Sequence, residues 1–288
     1  MSEKVLIASD STCDLSADLI ARYNIAILPL GVTLGEKQYT DGVDITPDDI
    51  YEQYEKTGML PKTSAVNIAE FTSFYKKYVD EGYSMVMFTI GSQMSSTYNN
   101  ARLAADEFDN VYAVDTKNLS TGGGLLVLSA CRMAEEGKTA EEIAAAYTEL
   151  ADYVDASFVV DNLEFLHKGG RCSAVEAFGA NLLQLKPCIA VRDGKMGVTK
   201  KYRGRFADVL KKYIADQIGD ASDIDLEKVF VTHAGCDESI VNACAEQVKQ
   251  SAAFENVYIT RAGCTVSSHC GRNTLGVLFI RKSALKNN

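Results

Sequence analysis

Three short apolar runs in the first half of the chain, at 4–8, 84–90 and 110–114, each break off into a polar turn. Those turns are Ser9-Asp10-Ser11-Thr12, Gly91-Ser92 and Asp115-Thr116. Between the runs lie segments with helical spacing, predicted as helices over 15–23, 66–80, 96–108, 119–135 and 140–154. A second strand is expected over 25–34, and the polar, acidic segment 35–61 has helical character from Thr46 to Lys56. Strands separated by helices imply a parallel sheet covered on both faces. Ligands of such sheets sit outside the carboxyl ends of the strands, where the strand order switches. The three polar turns are therefore expected along one rim.

Beyond Ser157 the pattern changes. Short β-like runs at 158–161 and 188–191 precede Asp193-Gly194-Lys195, a hairpin signal joining Val191 to 196–199. Helices fit 174–186, 204–218 and 238–251, and strands fit 228–233, 255–260 and 275–281. This half reads as α+β with a mixed or antiparallel sheet. The boundary is expected near 156, with an α/β domain over 1–156 and a second domain over 157–288.

The net charge of −10 argues against a nucleic-acid surface, which needs a basic patch to displace counterions. No stretch approaches the roughly 20 apolar residues that cross a bilayer. An apolar strand begins within four residues of Met1, which leaves no room for a signal sequence, so the expectation is a cytoplasmic protein. The eight cysteines are irregularly spaced without a Cys-x-x-Cys pair, and are expected as reduced, mostly buried thiols. The pairs His233-x-x-Cys236 and Cys264-x4-His269 match no familiar zinc spacing.

Two hydroxyl-rich turns stand out. Residues 89–99 carry an apolar strand into Gly91 and then Ser92, Ser95, Ser96 and Thr97 ahead of a helix, and Lys62-Thr63-Ser64 precedes the helix at 66–80. Unpaired backbone N–H groups and hydroxyls at a strand end and helix start suit a small anion, a carboxylate or phosphate. The same residues are also the ones that cap helices everywhere. No Gly-x4-Gly-Lys-Ser/Thr loop and no Gly-x-Gly-x-x-Gly follows a strand. Gly122-Gly123-Gly124 at a helix start costs about 1 kcal/mol per glycine relative to alanine, and means either close backbone packing or room for a ligand.

The turn Phe165 to Ser173 carries Lys168 and Arg171, and a guanidinium holds a carboxylate in fork geometry. Residues 263–271 read as a small-residue loop around His269, a histidine that is either structural or part of a site. A Ser-His-Asp hydrolase of acyl esters would draw on Ser92, His269 and Asp115, but Gly91-Ser92-Gln93-Met94-Ser95 lacks the second glycine of a nucleophile elbow.

Several signatures then coincide in order: Asp10-Ser11-Thr12, Pro61-Lys62-Thr63-Ser64, Gly91 to Tyr98, Val114-Asp115-Thr116, Leu166-x-x-Gly169-Gly170-Arg171, Lys186-Pro187, Asp193-Gly194-Lys195 and His269-x-Gly271. Together they resemble the DegV family of bacterial fatty-acid-binding proteins over residues 4–281. The resemblance implies an N-terminal three-layer α/β/α domain with a parallel sheet, and a C-terminal α+β domain that closes an acyl tunnel. It implies a carrier rather than an enzyme, with a long-chain fatty acid as ligand and no cofactor. The carboxylate would be presented to a separate fatty acid kinase subunit, whose acyl phosphate feeds phospholipid synthesis, and transient contact with a membrane surface is allowed.

Residue by residue, Thr63 matches the family's Thr-Ser turn, and Ser95 or Ser92 its second serine. Arg171 matches the arginine of Gly-Gly-Arg and His269 the late histidine. The chain departs from the family at Gly91-Ser92 in place of Ser-Ser, at Ser95-Ser96-Thr97 in place of Ser-Gly-Thr, and at His269-Cys270-Gly271-Arg272-Asn273 in place of His-x-Gly-Pro-Gly.

Overall fold

A computed structural model describes residues 3–171 and 185–285. The predicted helix 174–186 lies outside the described residues except for Leu185 and Lys186, which begin a strand. The first half starts with β1 (Val5–Asp10), α1 (Ala17–Arg22) and β2 (Ala26–Leu28). An antiparallel excursion follows: β3 (Gly31–Leu34), β4 (Lys37–Thr40), α2 (Pro47–Thr57) and β5 (Lys62–Ser64). The chain then returns through α3 (Ile68–Asp80), β6 (Ser84–Thr89), α4 (Thr97–Ala105), β7 (Val111–Asp115), α5 (Thr121–Glu135) and α6 (Ala140–Leu150).

Strands β2-β1-β6-β7 form a parallel sheet in that order. Alternation sorts its side chains: Leu6, Ala8, Met85 and Met87 pack with α3 and α4, while Ile7, Val86 and Phe88 face α5 and α6. The predicted strand 25–34 is in fact two strands of different sheets. Pro29 has no N–H for a ladder, the chain turns there, and β3 pairs with β4 and β5 instead. The helix predicted over 140–154 stops at Leu150, because Val154 already belongs to the next sheet.

The second half comprises β8 (Val154–Val160), α7 (Glu164–Gly169), β9 (Leu185–Arg192), β10 (Lys195–Arg203), α8 (Phe206–Ile218), β11 (Ile224–Ala234), α9 (Glu238–Ser251), β12 (Asn256–Arg261), α10 (Cys264–Cys270) and β13 (Thr274–Arg281). Its six strands form one mixed sheet, β10-β9-β8-β13-β11-β12, in which only β11 and β12 run parallel. The β9–β10 hairpin turns on Asp193 and Gly194 with φ of 50° and 74°, the left-handed pair of a type I′ turn.

Helix α5 lies between the two sheets, with Thr121 through Cys131 all buried. Its core joins Ile7, Val86 and Phe88 of the parallel sheet to Val191, Phe230 and Leu278 of the mixed one. That sandwich explains two glycines of the triplet. A Cβ on Gly122 would lie 3.2 Å from the Ala156 methyl, and one on Gly124 would lie 2.7 Å from the carbonyl oxygen of Cys13. Gly122 and Gly124 therefore serve close packing, whereas a Cβ on Gly123 would meet Thr116 only at an ordinary contact distance of 3.5 Å.

Candidate functional site

The parallel sheet reverses direction of growth between β1 and β6, so its crevice opens beyond Asp10 and Thr89. Asp10 welds that crevice. One carboxylate oxygen accepts the Thr12 N–H (2.9 Å) and hydroxyl (2.6 Å), and the other accepts the Ile90 N–H at 2.7 Å. The turn after Ile90 is pulled against the β7 end, where the Gly91 N–H donates to the Asn118 carbonyl at 2.8 Å. A Cβ on Gly91 would sit 3.0 Å from the Lys117 carbonyl carbon, which is why glycine stands at this departure from the family pattern.

This turn presents Ser95 and hides little else. Ser95 Oγ shares a 2.8 Å hydrogen bond with Thr97 Oγ1 and accepts the Thr97 N–H at 3.2 Å, so it caps the start of α4 and lines the crevice as well. Ser92 is exposed away from the cavity, its N–H donating to Asp115 Oδ1 at 3.0 Å. Asp115 also accepts the Lys117 N–H, at 2.9 Å.

Thr63 arrives from the opposite wall on β5, a strand where the sequence suggested a helix-leading turn, while α3 is capped by Asn67 instead. Its Oγ1 lies 2.8 Å from His269 Nε2. His269 sits on α10, a helix where small residues suggested a loop. The reason is distant in sequence: Asp14 Oδ1 accepts the Gly263 N–H (2.8 Å), and Asp41 accepts the N–H groups of Cys264 (2.8 Å) and Thr265 (3.1 Å). Two carboxylates from the first half thus satisfy the helix start that a local cap would otherwise serve.

Burial, with help from the Arg171 charge, pushes the His269 imidazole down to about 4, so the ring is neutral at pH 7. Its Nδ1 is buried without a partner among the described residues, and a Cβ on Gly169 would come within 2.7 Å of it. A buried unpaired N–H is rarer than an unpaired acceptor, so accounting assigns the proton to Nε2, donating to Thr63 Oγ1. The Thr63 hydroxyl proton is then free to point into the cavity. Arg171 is exposed at the rim, its guanidinium donating to the Gly169 carbonyl at 2.7 Å. Of the segment 165–173, expected as a turn, residues 165–169 belong to α7, with Lys168 paired to Glu164 at 2.6 Å, and 172–173 lie outside the described residues.

Thr63, Ser95, Arg171 and His269 therefore line one cavity, whose other walls include Leu30, Met94, Leu119, Phe158, Leu166 and Met196. A second cavity shares Leu119, Phe158, Val266 and Cys270 with it. It runs between the start of α5 and the mixed sheet, where Ala156, Ala234, Ala262 and Gly276 keep the walls low. The first cavity thus has a polar corner, and the second, walled almost entirely by apolar atoms, lies beside it across those shared residues. Thr265, which also lines the first cavity, escaped the sequence reading. Its i, i+4 spacing from His269 was the available signal, but it carries weight only once a helix is recognised there.

The other constellations separate. Ser92 and Asp115 engage each other through a backbone N–H, while His269 turns to Thr63. His233 Nδ1 accepts the Cys236 N–H at 3.3 Å, and Cys264 Sγ donates to the Ile45 carbonyl at 3.3 Å. The seven described cysteines are free thiols, and Cys172 lies outside the described residues. Among the described residues, no group of three His, Cys, Asp or Glu side chains is arranged to hold a metal, and no helix is long and apolar enough to cross a membrane.

The family model for "Uncharacterised protein, DegV family" matches residues 4–282. A DegV domain-containing protein of Clostridium acetobutylicum is 35% identical over 283 residues, covering 97% of this chain and 99% of the relative. Among solved structures, a DegV family protein from Thermus thermophilus, described for its fatty acid binding, superposes with a TM-score of 0.89 at 30% identity, covering 96% and 99% of the two chains. A stearic acid-binding protein from Eubacterium ventriosum superposes with a TM-score of 0.82 at 29% identity, covering 96% and 98%.

Proposed function

Because this chain belongs to the DegV family, we propose that it is a fatty-acid carrier, holding one long-chain acid with its carboxylate in the polar corner and its tail in the apolar interior. The observation that carries the reading is the convergence of Thr63, Ser95, His269 and Arg171 on one largely apolar cavity, beside a second apolar cavity under the start of α5 that shares four of its lining residues. The first half of the chain supplies Thr63 and Ser95. The second half closes the tunnel over the tail through β8, β11 and β13.

The energetics favour this division of labour. Burying a sixteen-carbon tail at about 0.8 kcal/mol per methylene contributes on the order of 10 kcal/mol. The head group then needs orientation more than affinity, and hydroxyl donors orient a carboxylate without the desolvation cost of a fully buried ion pair. The neutral His269 ring aligns the Thr63 hydroxyl toward the ligand, and exposed Arg171 supplies positive charge at the mouth. A carboxylate held at that mouth is accessible to a partner kinase for acyl-phosphate formation, so the phosphoryl chemistry resides in the partner. The lack of a nucleotide-binding motif in this sequence agrees with that assignment.

Native mass spectrometry of mildly purified protein is expected to show the mass increment of one long-chain acid. In titrations with palmitate or oleate, the folded Thr63→Ala/Ser95→Ala double variant is expected to bind more than tenfold more weakly. A reproducibly empty protein that takes up neither acid would refute the carrier reading.

A further inference from the structure

Helix α10 carries three hydroxyls, and two of them are used up by the backbone. Ser267 Oγ donates to the Ala262 carbonyl at 3.1 Å and Ser268 Oγ to the Cys264 carbonyl at 2.7 Å. Thr265 differs. It is 4% exposed, its Oγ1 is buried, and that oxygen has no hydrogen-bond partner among the described residues. Its backbone N–H is already committed to Asp41, so the local structure does not call for the hydroxyl.

A buried unpaired hydroxyl costs stability that an isosteric apolar side chain would not, so a threonine here indicates a partner that the chain alone does not supply. The geometry points to that partner. Thr265 and His269 are four residues apart on one helix, so their side chains share a face one turn apart. Both line the cavity of the polar corner, as do Thr63 and Ser95. Val266 and Cys270 line both cavities, whereas Thr265 lines only the first, at the head-group end.

We propose that Thr265 is a third hydroxyl donor to the ligand carboxylate, taking one oxygen while Thr63 and Ser95 serve the other, and so a specificity-determining residue for a charged acyl head over an esterified one. The assignment rests on the fatty-acid reading above. Three donors satisfy most of the lone-pair sites of a carboxylate, whereas an ester offers one good acceptor, its carbonyl oxygen, and a second oxygen that is uncharged, a weak acceptor and capped by a methyl group.

The experiment compares wild type, Thr265→Val and Thr265→Ser for binding of palmitate and methyl palmitate, with thermal melts of each protein freed of ligand. Thr265→Val is expected to weaken palmitate binding about tenfold, to change methyl palmitate binding no more than about twofold, and to melt no lower than wild type. Thr265→Ser is expected to restore palmitate affinity. If wild type binds palmitate and Thr265→Val binds it equally well, or loses both ligands equally, the assignment falls while the carrier reading stands. A lower melting temperature for ligand-free Thr265→Val would give the hydroxyl a structural role and overturn it too. Failure of wild type to bind palmitate removes both.

Discussion

The two sides of helix α10 treat buried polar groups in opposite ways. At its start lie Asp10, Asp14 and Asp41, three buried carboxylates within one crevice. Burial pushes Asp14 up to about 8 and Asp10 up to about 6. Yet their oxygens are occupied: Asp14 by Ser120 and the Gly263 N–H, Asp41 by Ser11 and two helix N–H groups, Asp10 by Thr12 and Ile90. On the cavity face lie Thr265 and His269, whose Oγ1 and Nδ1 lack partners among the described residues. Perturbed carboxylates often mark a functional site, and by that rule alone the acidic side would be chosen. Hydrogen-bond accounting chooses the other. A saturated polar cluster is scaffold, and an unsaturated one beside a cavity is where a ligand belongs.

The largest test removes the scaffold. Asp41→Ala strips the partners from two helix N–H groups and the Ser11 hydroxyl, and is expected to destabilise the fold by about 3 kcal/mol or more in urea unfolding. A variant of wild-type stability would end the claim that this side holds α10 in place.

The next test uses pH. Asp14 has a folded pKa raised above its unfolded value of 3.8, so the native state binds more protons than the unfolded chain, and stability falls as pH rises toward 8. Asp10 acts in the same direction but only below about 6. His269 acts oppositely, since its depressed folded pKa makes stability rise between about 4 and 6.5. The window from 6.5 to 8 therefore isolates Asp14. Wild type is expected to lose about 2 kcal/mol across it, and Asp14→Asn to be flat, as read by denaturant midpoints at successive pH values.

The smallest test concerns the cavity face alone. Ser95→Ala is expected to weaken palmitate binding about fivefold, and Ser92→Ala, on the exposed side of the same turn, by less than twofold. Equal effects of the two substitutions would erase the distinction between the residues.

Much of this molecule is readable in the chain, for reasons that are local. The apolar run at 84–90, the helix from Pro47 and the Asp193-Gly194 turn each depend on neighbours within a few residues, and each formed near its predicted bounds. The helix around His269 was not readable, because its start is satisfied by Asp14 and Asp41, more than 200 residues away in sequence. The split of 25–34 was equally hidden, since β3 finds its partners only after the chain doubles back through β5.

The sequence by itself determined the alternating strands and helices, the polar turns at the strand ends and the family, because periodicity, turn chemistry and ordered motifs are written in adjacent residues. Tertiary structure alone decided that Ser95 faces the cavity while Ser92 does not, that Gly122 and Gly124 are wedged against neighbouring elements, and that Thr265 joins Thr63 and His269. Those facts depend on which groups become neighbours when distant segments pack, and on which buried polar atoms the packing leaves without a partner.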